Sequence, residues 1–264
     1  GLGDVYKRQE VVVVENDGLI RKVGAGTTRL AQFTCGSNVR VVENRGVVEV
    51  AEGRLILSAL NATANHTGAF VIGENAVLAF DGNGTQNISG SLVQPGRLEL
   101  LGSTVTVAGD VTMSDVNTSG GTLVINGSVQ AKRLGTLAGS LRFNGTATTD
   151  DLTVNGGSTG GDGILTVRSN LVWSSGSIIG AGKTRVEAGA FGVMNGGATK
   201  FIGGGHRFEI GGTIQWTGGE IIASGIAATV AVLPGGVWEV SGSVFRDSCN
   251  EVVRVENDGL IRKV

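Results

Sequence analysis

Residues 171–182 read LVWSSGSIIGAG and residues 214–225 read IQWTGGEIIASG, and this shared pattern decides the fold. The second segment starts 43 residues after the first, which equals two steps of roughly 22 residues. A parallel β-helix repeats its strands at a fixed step, because each coil stacks on a copy of itself, whereas a sandwich or barrel does not. The pattern therefore predicts an all-β fold, a parallel β-solenoid with coils of roughly 22 residues.

A longer repeat separates two near-identical segments. Glu10–Val23 reads EVVVVENDGLIRKV and Glu251–Val264 reads EVVRVENDGLIRKV, so thirteen of fourteen positions agree. The offset of 241 residues equals eleven steps of roughly 22 residues. Residues 10–264 are therefore predicted to form a single β-solenoid module, a fragment of a longer tandem array whose repeat equals that offset.

Two shorter matches bear on coil length. Gly24–Leu30 (GAGTTRL) matches Gly180–Val186 (GAGKTRV) at an offset of 156 residues, which equals seven steps of roughly 22 residues. Val14–Gly18 (VENDG) matches Val42–Gly46 (VENRG), which lies further along the chain than one step of roughly 22 residues. The second match predicts that some coils carry insertions.

The local pattern is one of short strands and sharp turns. Leu98–Leu100, Val105–Val107 and Val111–Met113 each alternate apolar with polar residues, which is the two-residue period of a half-buried strand. Asn-Gly and Gly-Gly pairs separate such segments, and both residue types tolerate the positive φ of a sharp corner. No stretch has convincing helical periodicity, so helix content is predicted to be close to nil.

Composition excludes several classes of protein. Of 264 residues, 46 are Gly, 41% are hydrophobic and 17% are charged, with a net charge of −2. Disordered chains combine low hydrophobicity with high charge, so this chain is expected to bury a core. The scattered Lys and Arg residues give no basic face for nucleic acid. No apolar run is long enough for a membrane-spanning helix.

Two features outside the repeats need separate treatment. Asp4–Gln9 (DVYKRQ) resembles a translated sequencing adapter, so residues 1–9 are interpreted as a non-native sequence scar and excluded from the fold. Cys35 and Cys249 lie far apart in the sequence. Two isolated thiols are expected, with a disulfide or a metal site as the alternative.

Carboxylates are the first candidates for chemistry, because glycosidases use two of them about 5–10 Å apart. The candidates are Asp110 with Asp115, Asp150 with Asp151, and Asp162. Asp150 and Asp151 are adjacent, so on a strand they are expected to point to opposite faces. Solvated turn residues are the favoured interpretation.

Histidine and glycine patterns give no stronger signal. The spacing of His66 and His206 is not a multiple of the coil length, so the two are not expected to stack or to act in catalysis. Gly157–Ile164 (GSTGGDGI) is a weak match to a calcium-binding glycine repeat and occurs once, which argues against structural calcium. Several Asn residues match the glycosylation sequon, but the favoured interpretation is again turns.

Three tryptophans leave an alternative open. Trp173, Trp216 and Trp238 are separated by two steps and then one step of roughly 22 residues, which places them near one angular position along the rod. They could form a carbohydrate-stacking surface, or they could pack in the lumen or on its flank.

Three segments carry a resemblance to a known group of proteins. Glu15–Lys22 (ENDGLIRK), Trp173–Gly182 (WSSGSIIGAG) and Gly211–Gly219 (GGTIQWTGG) look like bacterial β-strand-repeat surface proteins. That group is similar to autotransporter passenger domains and filamentous-haemagglutinin-type adhesins, and the resemblance covers residues 10–264. It implies an exported, right-handed parallel β-helix that is extracellular or on the bacterial cell surface. It carries over no catalytic, cofactor-binding or metal-binding residue.

The functional prediction is a structural or adhesive repeat module of a large bacterial cell-surface or secreted protein, and not an enzyme. The expected partners are adjacent modules of the same array and surface glycans or ligands on host or neighbouring cells, with no cofactor. The alternative is a fragment of a carbohydrate-active β-helix, a polysaccharide lyase, glycosidase or tailspike-like protein. That alternative requires several carboxylates on one face over adjacent coils.

Overall fold

The structure is a computed structural model that describes residues 11–31, 39–224, 228–242, 244–247 and 253–264. In these residues the backbone consists of strands joined by short turns, and no helix is present. Successive coils pair through parallel strands and form a β-solenoid, as predicted. The right-handed sense of winding stays a prediction.

The strands follow one another closely along the chain. The first are β1 (Val11–Asn16), β2 (Leu19–Lys22), β3 (Thr27–Leu30), β4 (Val39–Asn44), β5 (Val47–Val50), β6 (Arg54–Ser58), β7 (Thr63–His66), β8 (Ala69–Ile72), β9 (Val77–Asp81) and β10 (Thr85–Ile88). Next come β11 (Leu92–Val93), β12 (Arg97–Leu100), β13 (Thr104–Val107), β14 (Val111–Thr118), β15 (Thr122–Ile125), β16 (Val129–Thr136), β17 (Ser140–Phe143), β18 (Thr146–Gly160), β19 (Ile164–Ile179) and β20 (Lys183–Val186). The last are β21 (Phe191–Met194), β22 (Lys200–Gly203), β23 (Arg207–Ile210), β24 (Thr213–Trp216), β25 (Ile221–Ser224), β26 (Thr229–Val232), β27 (Val237–Val240), β28 (Phe245–Asp247), β29 (Arg254–Asn257) and β30 (Leu260–Lys263).

These strands form three ladders that run along the solenoid, one on each side. The first ladder starts with β1, the second with β2 and the third with β3, and each later coil adds one segment to every ladder. In the middle of the molecule the chain rounds the corner between the second and third ladders without a break, so β14 and β16 belong to both. β18 and β19 extend through all three ladders.

Coil length varies along the solenoid, although its mean is about 21 residues. Asn16 pairs with Asn44, a step of 28 residues, which confirms the predicted insertion. The step falls to 18 residues in the middle, where Ser140 pairs with Ser158. It rises again to 24 residues where Arg185 pairs with Glu209. The predicted length is therefore right on average, and the shorter coils in the middle were not predicted.

The variable step explains which sequence matches share a ladder. Trp173 pairs with Met194 and Met194 pairs with Trp216, so the offset between the two tryptophan segments is two coils, as predicted. The offset between the GAGTTRL and GAGKTRV segments is not a whole number of coils, because β3 lies in the third ladder and β20 in the second. The offset of 241 residues is also not a whole number of coils, because β1 lies in the first ladder and β29 in the second.

The lumen is filled by apolar side chains that alternate with outward residues along each strand. The fully buried set includes Leu55, Leu78, Leu98, Leu123 and Leu141. Each coil covers the apolar face of its neighbours, which is how a solenoid forms a core from units too small to have one. The prediction that residues 10–264 form one module of a longer array, and that residues 1–9 are a scar, stays a prediction; residues 1–10 lie outside the described part.

Candidate functional site

The three tryptophans lie in the third ladder and point into the lumen. Trp173, Trp216 and Trp238 are 0%, 3% and 4% exposed, so a carbohydrate-stacking surface made of these rings is wrong and lumen packing is right. Trp216 donates its indole N–H to the carbonyls of Gly218 and Gly219, at 3.1 and 2.9 Å, and its ring stacks on Trp238 with centroids 6.1 Å apart. Trp238 pairs with Ile214 and not with Trp216. It therefore lies two residues before Val240, the residue in register with Trp216.

Most of the candidate carboxylates hold neighbouring coils together. Asp115 is almost fully buried and accepts two hydrogen bonds from the Arg133 guanidinium of the next coil, one of them at 2.8 Å. Asp110 accepts hydrogen bonds from the backbone N–H and the hydroxyl of Ser128, which lower the pKa of Asp110. Asp162 accepts the backbone N–H of Ala181 at 3.3 Å. Each of these groups has a structural role.

Asp150 and Asp151 both lie on the outside of β18, so the expectation that they point to opposite faces is wrong. The reason is local: the strand bends from the second ladder into the third here, and the register with β19 shifts between Thr149 and Asp151. Asp151 accepts a hydrogen bond from the Asn170 side-chain amide at 2.7 Å. The Asp150 carboxylate has no hydrogen-bond or ion-pair partner among the described residues.

The two histidines are fully buried and do not contact each other. His66 accepts the backbone N–H of Asn44 at Nδ1, 3.2 Å, and its Nε2 lies 3.2 Å from the Gln86 side-chain oxygen. His206 Nε2 lies 3.0 Å from the Thr184 hydroxyl. Burial lowers the pKa of both rings, that of His206 to about 4. Both are therefore neutral at pH 7, with no route to a substrate in solvent.

His66 belongs to a buried polar network that crosses several coils. The Asn16 side-chain amide donates to the Asn44 side-chain oxygen at 2.8 Å. The backbone N–H of Asn44 donates to His66, whose Nε2 lies beside the Gln86 side-chain oxygen. Gln86 donates to the Ser103 hydroxyl at 3.0 Å. A buried polar group that finds a partner avoids a desolvation penalty, so the network stabilises coil stacking.

Several sequon asparagines form ladders on the turns, as the turn interpretation predicted. Asn83 donates to Asn61 at 2.9 Å, and Asn144 donates to Asn126 at 2.7 Å. Residues 157–160 of the glycine-rich segment complete β18. Among the described residues, no group of three or more His, Cys, Asp or Glu is arranged to hold a metal ion. Cys35 and Cys249 lie outside those residues.

One surface feature was not identified from the sequence. A groove of about 350 Å³, open to solvent, follows the corner between the second and third ladders. We call it the corner groove. Its lining includes Gln130, Lys132, Asp150 and Arg168, with Glu74 at one end. The signal was present, because Lys132, Asp150 and Arg168 are evenly spaced in the sequence, one per coil. An assumed step of roughly 22 residues hides that spacing.

Comparison with protein-family models, with curated proteins and with solved structures finds no match. In the part of the chain that the structure describes, no helix is long and apolar enough to cross a membrane. The fold and its surface therefore carry the functional argument.

Proposed function

We propose that this solenoid is a structural and adhesive module of a large bacterial cell-surface or secreted repeat protein. One observation carries the proposal: the described coils stack in continuous parallel ladders, and ion pairs and hydrogen bonds of their charged side chains link neighbouring coils. A rod of this kind supplies length and repeated surface rather than a reaction centre.

The contacts between coils support the structural half of the proposal. Backbone hydrogen bonds link each coil to the next, and ion pairs such as Arg133–Asp115 and Arg185–Glu209 add side-chain contacts between coils. Pulling along the rod axis loads these contacts one coil at a time, because each coil contacts only its neighbours.

Single-molecule stretching tests this mechanical role. With one handle at each end, the chain is expected to unfold progressively, in extension steps of roughly 60–85 Å, the contour length of one coil. A single cooperative collapse at very low force, without coil-sized steps, would contradict a role as a load-bearing rod.

The carbohydrate-active alternative is tested by turnover. Asp110, Asp115, Asp151 and Asp162 each have a bonding partner, which leaves Asp150 as the candidate acid without one. We expect no release of reducing ends or unsaturated products from plant, algal or bacterial polysaccharides. Turnover that disappears in the Asp150→Ala/Asp151→Ala double variant would establish the enzyme instead.

A further inference from the structure

The corner groove is long, shallow and regular. Its lining begins at Glu74 and ends at Arg168. It includes residues from six successive coils. Parallel strands stack about 4.8 Å apart, so the groove is roughly 24 Å long. This shape fits an extended polymer that runs parallel to the rod axis and not a compact ligand.

Three charged side chains that line the groove have no partner among the described residues, unlike the charges that link neighbouring coils. Arg133, Arg185 and Arg207 each bind a carboxylate directly. In contrast, the side chains of Lys132, Asp150 and Arg168 are exposed and make no hydrogen bond or ion pair with any described residue. They occupy three consecutive coils of one groove, and charged side chains without a partner there can bind a ligand.

A column of polar side chains accompanies these charges. Thr112, Gln130 and Thr148 are register partners on successive coils of the second ladder, and all three line the groove. Their hydroxyl and amide groups make no side-chain hydrogen bonds among the described residues. Hydroxyl and amide groups at one coil spacing match the hydroxyls of a sugar chain, because a pyranose in an extended glycan is about as long as that spacing.

We infer that the corner groove binds an extended acidic polysaccharide that carries one carboxylate in every second sugar. Lys132 and Arg168 lie two coils apart, roughly 10 Å, which is close to the length of a disaccharide. Asp150 lies between the two cations, so it repels a carboxylate on the intervening sugar and accepts hydrogen bonds from that sugar's hydroxyls. The inference rests on the adhesive half of the proposed function and names a ligand for it.

Isothermal titration calorimetry on the whole chain tests the inference. The probes are four oligomers of matched length: a glycan that alternates a uronate with an N-acetylhexosamine, a homopolymer of uronate, a neutral glucan and an acidic peptide. The alternating glycan is expected to bind more tightly than the other three. Raised salt is expected to weaken its binding, because exposed charges are screened.

Variants assign the binding to the groove. Lys132→Ala and Arg168→Ala are each expected to weaken binding of the alternating glycan roughly two- to five-fold, the value of one exposed ion pair. Arg142→Ala is the matched control, because Arg142 is an exposed arginine in the first ladder whose side chain has no partner among the described residues, and it is expected to change nothing. Asp150→Ala is expected to strengthen binding of the uronate homopolymer, which removes the discrimination. All these side chains are exposed, so circular dichroism should show unchanged folding.

Four results would overturn the inference. These are no binding of the alternating glycan, equal binding of the homopolymer or the neutral glucan, equal binding of the acidic peptide, or an equal loss in Arg142→Ala. None of them affects the stretching experiment, so failure of this inference is distinguishable from failure of the structural role.

Discussion

The narrow coils, residues 104–160, differ from the wide coils, residues 183–263, both in length and in what they enclose. In the narrow coils the step is 18 residues, as from Ser140 to Ser158, and the lumen holds aliphatic side chains and the Phe143 ring. In the wide coils the step is longer, for example 24 residues from Gln215 to Glu239, and the lumen holds Phe208 and the rings of two tryptophans. Protein interiors are close-packed, so larger side chains require a longer perimeter. The longer perimeter of the wide coils therefore accommodates their two indole rings.

Removal of a large ring from the wide coils should have the largest effect. Trp216→Ala leaves a cavity that the longer coil cannot close, so the free energy of unfolding is expected to fall by about 3–5 kcal/mol. Leu123→Ala, in the narrow coils, is expected to cost about 2–5 kcal/mol, toward the lower end because the cavity is smaller. Urea denaturation measures both.

Phe191→Ala is the control for these core variants. Phe191 is 41% exposed in the third ladder, so its loss is expected to change the free energy of unfolding by less than about 1 kcal/mol. Equal losses in Trp216→Ala and Phe191→Ala would mean that lumen packing does not control the stability of the wide coils.

The sequence predicted the solenoid and a longer coil near its start, but not the shorter coils in the middle. Alternation and turn chemistry are local, and they identified strands such as β12 and β13. The two copies of ENDGLIRKV lie in different ladders, because one turn motif can serve any corner of the coil. Which corner it occupies depends on the length of all the coils between the copies.

The corner groove could have been predicted only from the correct step. Lys132, Asp150 and Arg168 follow one another at steps of 18 residues, but an average step of roughly 22 residues moves them to different sides of the rod. The burial of Trp173 was likewise undetermined, because alternation shows which residues share a face and does not show whether that face is inside. Three-dimensional packing supplies that information.

Two glycine substitutions test how much close contact between neighbouring coils affects the free energy of unfolding. Gly121 has φ +69° and a Cβ there would lie 1.3 Å from the Gly102 carbonyl oxygen of the preceding coil. Gly205 has φ +81° but nothing within 4 Å of its Cβ position. Gly121→Ala is expected to lose about 3 kcal/mol, from backbone strain plus overpacking.

Gly205→Ala carries the strain without the clash, so its loss is expected to be about 1–2 kcal/mol. Urea denaturation of the two variants therefore isolates the contribution of coil-to-coil contact. If Gly205→Ala were as destabilising as Gly121→Ala, contact with the preceding coil would add nothing to the cost of the positive φ.

The two buried histidines are expected to make the free energy of unfolding depend on pH. The pKa of His206 is lowered to about 4 in the folded chain, below the ordinary value of 6.5, because its burial disfavours the charged ring. The unfolded chain therefore binds more protons between these values, so stability is present above pH 6.5 and is lost as the pH falls toward 4. Between pH 7 and pH 5, His206 is expected to cost about 2 kcal/mol.

His206→Gln should remove that part of the pH dependence, and urea denaturation at several pH values measures it. His66→Gln is the comparison, because burial also lowers the pKa of His66, so part of the acid sensitivity should remain in each single variant. If His206→Gln left the pH dependence unchanged, the buried imidazole of the wide coils would not be the titrating group.

The smallest expected effect comes from the ion pairs of two outward-facing carboxylates that are covered by neighbouring side chains, one in each region. Asp115 in the narrow coils has Arg133 as its ion-pair partner, whereas Glu209 in the wide coils contacts Arg185 at 2.6 Å, Arg207 at 2.9 Å and Lys183 at 3.8 Å. Arg133→Ala leaves Asp115 without a cation, and we expect a loss of about 1 kcal/mol in the free energy of unfolding, since Arg133 itself is largely exposed. Arg185→Ala leaves Glu209 with two cations, so its loss should be well below that. Equal losses in urea denaturation would show that the number of cations around each carboxylate does not control the stability that each ion pair contributes.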